Sequence, residues 1–239
     1  MKLNEGVYDK YIFKAIFLAG TPGSGKNFFL NKTLYSFKNM DPDAIRMLLY
    51  KKKGMTADHY KQSPKERKTA DEEIHPTTNK KTVKKEDITI KNRLPIIMNR
   101  TGSDFERTKK MKERLEALGY ETKMIFISSG LDTSLERNNA RDRRLDNEFV
   151  KATHKKVAAN VGKFKDLFGS DFHVVDNATP ADKKQEVFGE MWKRLAAWVD
   201  RPVNNAKAKS WKEEQLRRKG NRVSGTIEKM RSDVKGTLK

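Results

Sequence analysis

The sequence predicts an α/β domain, a parallel sheet covered by helices on both faces with a basic C-terminal extension. Three observations predict it. Residues 11–19 are nearly continuously apolar, as a strand buried on both faces must be. Similar runs recur at residues 94–98 and 123–128, and a shorter one at 172–175. Stretches with helical character lie between them, and strands alternating with helices at this spacing indicate βαβ units.

In order along the chain, strand 11–19 ends in a glycine-rich turn at residues 20–27, followed by a helical run at 28–35. Residues 36–40 lead into Asp41-Pro42-Asp43, where a helix can start with proline in its first turn. From 51 to 85 the chain is lysine-rich, polar and weakly periodic, and reads as a helical hairpin or a mobile insert. After strand 94–98 comes a helix over 105–118, stopped by Gly119 in the manner of a C′ glycine. Strand 123–128 is followed by a helix over 133–144, strand 172–175, and a helix over 187–199 carrying Trp192, Leu195 and Trp198.

Composition sets the outer bounds. The 239 residues are 36% hydrophobic and 35% charged, which suits one core with charged extensions better than two cores. The expected organisation is a domain over 1–200, containing a polar insert at 51–90, and a basic tail over 201–239. That tail holds twelve Lys and Arg against four Asp and Glu; Trp211 and Leu216 suggest a docked helix within it, and residues 220–239 read as loosely held. The formal charge of +20 points to a polyanionic partner, nucleic acid first, with a merely solvated basic surface as the alternative. Cysteine is absent, which excludes disulfides and thiolate chemistry, and the four scattered histidines show no zinc spacing. No run approaches membrane-spanning length and the first residues lack a signal-peptide pattern, so the expected location is cytoplasmic.

Gly20-x-x-x-x-Gly25-Lys26 is the Walker A pattern except at its last place. Glycines at 20, 23 and 25 let the backbone around Ser24 curl so that successive N–H groups face one concavity and hold phosphate oxygens. Lys26 would reach the β and γ phosphates. The following place carries Asn27, where Ser or Thr would hold Mg²⁺ through a hydroxyl. The turn follows an apolar strand and opens a helix, the context that supports a P-loop NTPase-type sheet.

Residues 17–26, 39–41, 93–94, 101–102 and 136–144 together resemble the nucleotide/polynucleotide-kinase and zeta-toxin group of P-loop kinases, and more closely kinase-like proteins of large tailed bacteriophages. The likeness extends through 162–169, 175–177 and 201–203. It implies ATP and Mg²⁺ as cofactors and phosphoryl transfer to a nucleotide, a nucleotide sugar or a polynucleotide 5′ end. It implies that Asp41 orients or deprotonates the acceptor hydroxyl, with Asp43 a weaker candidate. Arg137, Arg141 and Arg144 match the arginine-bearing lid, and at spacings of four and three they would share one helical face. The sequence departs from the family pattern at Asn99, where an aspartate normally steers the metal, and at Arg100, where the first glycine of Gly-Thr-Gly stands; Thr101 and Gly102 are retained. With Asn27, both metal-steering places are neutral amides. The alternative reading is a degenerate kinase scaffold serving as a phage structural or nucleic-acid-associated protein, in the host cytoplasm or on the particle.

Overall fold

The computed structural model describes residues 7, 11–30, 34, 36–178 and 184–219, apart from the side chains of 184, 185 and 187. Five strands form one all-parallel sheet in the order β2-β3-β1-β4-β5, with β1 Lys14–Ala19, β2 Lys38–Asn39, β3 Ile96–Asn99, β4 Glu121–Ser128 and β5 Phe172–Asp176.

Side chains of β1 alternate between two cores. Ala15, Phe17 and Ala19 face a cluster with Leu115, Phe164 and Phe168, while Ile16 and Leu18 face one with Phe29, Phe188, Trp192 and Leu195. The first cluster is covered by α5 (Phe105–Ala117) and α7 (Asn147–Phe168), the second by α1 (Lys26–Leu30) and α8 (Lys184–Asp200). Both faces of the strand are therefore dry, which accounts for its unbroken apolar sequence. Lys14 interrupts that run yet is fully buried; its ammonium meets Glu121 at 2.6 Å and lies 4.5 Å above the Trp198 ring.

Three further helices fill the connection between β2 and β3. They are α2 (Pro42–Lys52), α3 (Pro64–Thr69) and α4 (His75–Lys91), with a π-helical turn at Ala70–Ile74 leading into α4. The stretch read as a hairpin or mobile insert is thus a set of packed helices, held on Tyr50, Ala70 and Ile74. Its weak periodicity has a specific cause. The buried stripe of the long helix runs Ile74, Thr78, Thr82, Glu86, Ile90, a four-residue repeat whose middle members are polar.

Two helix boundaries differ from the sequence reading. The helix expected over 133–144 is α6, Leu131–Asn139, and ends five residues earlier. Asn138 is the reason: its amide donates to Leu145 O at 2.8 Å and accepts from Leu145 N at 3.0 Å, closing residues 139–144 into a loop. The expected 28–35 helix begins at Lys26 and is described to Leu30; residues 31–33 and 35 lie outside the described residues. The longest helix, α7, was not anticipated. Its buried face of Val150, Thr153, Val157, Asn160, Phe164 and Phe168 mixes polar with apolar residues.

Residues 206–219 form a further helix against the start of β1. Trp211 stands edge-on to Phe13 with ring centroids 5.4 Å apart, Ala208 and Val203 are buried, and Asn205 donates to Gly119 O at 2.8 Å. Leu216 of the same helix is exposed, and residues 220–239 lie outside the described residues. Trp211→Ala should lower unfolding stability by about 2 kcal/mol, below the cost of deleting a fully buried aromatic. Urea unfolding followed by far-UV circular dichroism checks this; an unchanged midpoint would mean the helix contributes nothing.

Candidate nucleotide site

All five strands point their carboxyl ends the same way, and loops from those ends meet at one edge, where open α/β sheets bind ligands. The turn after β1 is built as the glycine spacing requires. Gly20 N–H donates to Thr101 O at 3.0 Å, fixing the loop to the chain after β3. Gly23 has φ +87° and Gly25 φ +96°, where L side chains are strained. A Cβ at Gly23 would stand 2.5 Å from Ser134 O, and one at Gly25 would collide with the Asn177 amide nitrogen. Neighbouring backbone and side chains therefore occupy the space a side chain would need.

That close packing also supports the loop from behind. Thr21 and Ser134 hydroxyls are 3.1 Å apart, and Ser134 and Ser129 hydroxyls 2.8 Å. Asn177 donates to Ser24 O at 2.6 Å. Arg137 donates to Gly23 O at 3.4 Å and to Asn177 O at 3.0 Å. These partners come from the ends of β4 and β5 and from α6; of them, Arg137 is named in the sequence reading, as a lid arginine rather than a brace, and Asn177 falls within the family likeness, while Ser129 and Ser134 are not singled out. Short polar side chains carry no sequence signal for such a role.

Lys26 opens α1 with its ammonium turned back on the loop, bonded to Gly20 O at 2.5 Å and Thr21 O at 3.0 Å. Burial, and then the nearby Arg141 guanidinium, lower its pKa to about 8. Asp41 caps α2 by accepting from Asp43 N at 2.9 Å, and burial raises its pKa. Burial also pushes Asp43 upward, but Arg143 at 2.7 Å and Arg46 at 2.8 Å outweigh it and hold that carboxyl below its ordinary value.

The three lid arginines do not share a helical face, because Arg141 and Arg144 lie beyond the end of α6. Arg137 braces the phosphate loop. Arg141 lines the cavity. Arg144 binds Asp58 through two nitrogens, at 3.0 and 2.8 Å, in the segment between α2 and α3. His59 N–H donates to Arg144 O and Asn147 N–H to the Tyr60 hydroxyl, both at 3.0 Å. The loop after α6 is thereby fastened to the segment between α2 and α3.

Together these parts enclose a cavity of about 730 Å³ that runs from Gly23, Gly25 and Lys26 past Asp41 to the insert. Eight Lys and Arg line it against five Asp. Sequence reasoning missed Arg46, Arg67, Arg107 and Arg143 among them, because they come from four separate segments.

Mg²⁺ accompanying ATP in P-loop kinases would find its protein donors at positions 27 and 99. Asn27 is exposed at the cavity mouth and Asn99 is buried at the end of β3. Both are neutral amides, whereas Mg²⁺ favours carboxylates. Of the carboxylates beside Lys26, Asp43 is shared between two guanidinium groups and Asp41 caps a helix. Among the described residues no three His, Asp or Glu side chains gather to hold a metal. The donor set does not fit a protein-held divalent cation. No described helix is long and apolar enough to cross a membrane.

Solved structures similar in fold include a gluconokinase from Sinorhizobium meliloti 1021 (13% identity, 79% of this chain and 96% of that one, TM-score 0.46). The PezAT toxin–antitoxin system of Streptococcus pneumoniae is similar at 13% identity, over 77% of this chain and 86% of that one, with TM-score 0.47. Shikimate kinase from Bacteroides thetaiotaomicron is similar at 12% identity, over 76% and 97%, with TM-score 0.46. No curated protein matches the chain. The zeta toxin family matches residues 12–188, a span that takes in all five strands, the phosphate loop and the arginines of 137–144, and the chain belongs to that family.

Proposed function

We propose that this protein is an ATP-binding phosphotransferase that carries the γ-phosphoryl group to an acceptor of nucleotide or polynucleotide type. The observation that carries this reading is the single cavity joining the Lys26 phosphate loop to Asp41. The donor triphosphate occupies the loop amides and Lys26, and Asp41 faces the acceptor hydroxyl as general base. A carboxyl raised by burial is a better proton acceptor than an ordinary one. Arg46, Arg67, Arg107 and Arg143 make the acceptor end basic, which suits an acceptor bearing its own phosphate.

The test is ATP turnover with a nucleoside monophosphate, a nucleotide sugar and a 5′-hydroxyl oligonucleotide as acceptors. Absence of transfer to all three would overturn the acceptor class. The free-enzyme pH profile is a second check. Protonating Asp41 removes the base, so kcat/KM should fall as pH drops through a pKa above the usual aspartate value, and Asp41→Asn should abolish that limb. On the alkaline side Lys26 loses its charge near pH 8, so kcat/KM should decline above it, by up to about tenfold per unit. A flat profile from pH 7 to 10 would contradict the Lys26 assignment.

Asn27 and Asn99 favour a second reading, a kinase scaffold that binds phosphates or nucleic acid without turnover, as in a phage particle component. Asn27→Ser combined with Asn99→Asp separates the two. Turnover appearing only in the double variant supports the scaffold, and equal turnover in both supports the enzyme.

A further inference from the structure

The arginines around the phosphate loop are nearly all committed to protein partners. Arg137 bonds to two carbonyls, Arg143 to Asp43 and Arg144 to Asp58, and Arg100 pairs with Glu86. Arg141 differs. It stands on the loop after α6 and lines the same cavity as Lys26; its backbone N–H donates to Asn138 O, but among the described residues its guanidinium makes no hydrogen bond or ion pair. It lies close enough to Lys26 for the two charges to repel. Repulsion of this kind is maintained without a ligand only at a cost, and a triphosphate entering between the two cations relieves it.

The same place lacks the groups that a divalent cation would need. Amides stand at 27 and 99, Asp43 is neutralised by two guanidinium groups, and two fixed positive charges sit where a third would enter. We infer that Arg141 and Lys26 together neutralise the triphosphate in place of a protein-held divalent cation, so that this protein binds nucleotide without metal. A nucleoside triphosphate complexed with Mg²⁺ has already lost two negative charges, which lowers its attraction to this pair, whereas the free tetra-anion retains them. The inference rests on the nucleotide reading of the cavity and specifies the ionic form of the ligand.

The experiment is titration calorimetry of the full chain with AMP-PNP, a non-hydrolysable ATP analogue, in EDTA and in excess Mg²⁺. The expected dissociation constant in EDTA equals or lies below that in Mg²⁺. Binding about tenfold or more weaker in EDTA overturns the inference while leaving the nucleotide reading intact. Absence of binding in both media sinks that reading and the inference with it. Arg141→Gln supplies the second arm, and because the position is exposed the fold should survive the change. It should weaken binding in EDTA by roughly tenfold and in Mg²⁺ by much less, since the metal then supplies the missing charge. Equal losses in the two media would show that Arg141 does not replace a metal. Mn²⁺ paramagnetic resonance gives an independent readout: the wild-type complex should hold Mn²⁺ no more tightly than free nucleotide does, and Asn99→Asp should increase that affinity.

Discussion

Lys26→Ala should reduce phosphoryl transfer by about a hundred- to a thousandfold, the usual loss when one preorganised charge facing the reacting group is removed. The fold should survive. Among the described residues the ammonium holds two loop carbonyls, Gly20 O and Thr21 O, beside an open cavity where water can replace it. The expected stability loss is therefore about 1 kcal/mol. Turnover and urea unfolding measured on the same preparation separate the two effects. A variant retaining more than a tenth of wild-type turnover would remove Lys26 from the reaction.

The second large effect is on stability. Glu86→Ala should cost about 3 kcal/mol, because it removes the one ion-pair partner found among the described residues for the Arg100 guanidinium, which is mostly buried at the cavity wall with Asp104 nearby. Glu86 itself is 2% exposed in the middle of the α4 stripe. Glu86→Gln, which keeps a hydrogen-bond acceptor for Arg100, should lose less. Chemical denaturation ranks the three proteins, and equal midpoints for wild type and Glu86→Ala would show that the pair is neutral to folding.

Arg100 also marks where the sequence was readable and where it was not. As a departure from a glycine it was visible, but its partner, fourteen residues earlier in a lysine-rich stretch, was not. The strands were legible because double-sided burial demands unbroken apolar runs, and the phosphate loop because its backbone conformation demands glycine. The helix α4 was obscured since threonines and a glutamate occupy its buried stripe, and α7 because Thr153 and Asn160 interrupt its apolar face. Arg137, Arg141 and Arg144 were expected on one helix, but α6 ends at Asn139 before the last two. Nothing in the spacing of 137, 141 and 144 reveals that Asn138 folds the chain back at Leu145. The cations Arg46, Arg67, Arg107 and Arg143 were beyond sequence reasoning, since only tertiary structure brings α2, α3, α5 and the loop after α6 to one cavity.

The polar stripe of α4 carries a mechanical consequence. Lifting an apolar helix face off its support exposes surface that water hydrates poorly, and the cost grows with area. The α4 face instead offers two threonine hydroxyls, a third threonine at position 89 and a carboxylate. Deleting Glu86 leaves one ion stranded, but drawing the two surfaces apart returns Glu86 and Arg100 to water together, recovering the hydration that both gave up. The interface is thus intolerant of mutation yet comparatively easy to separate.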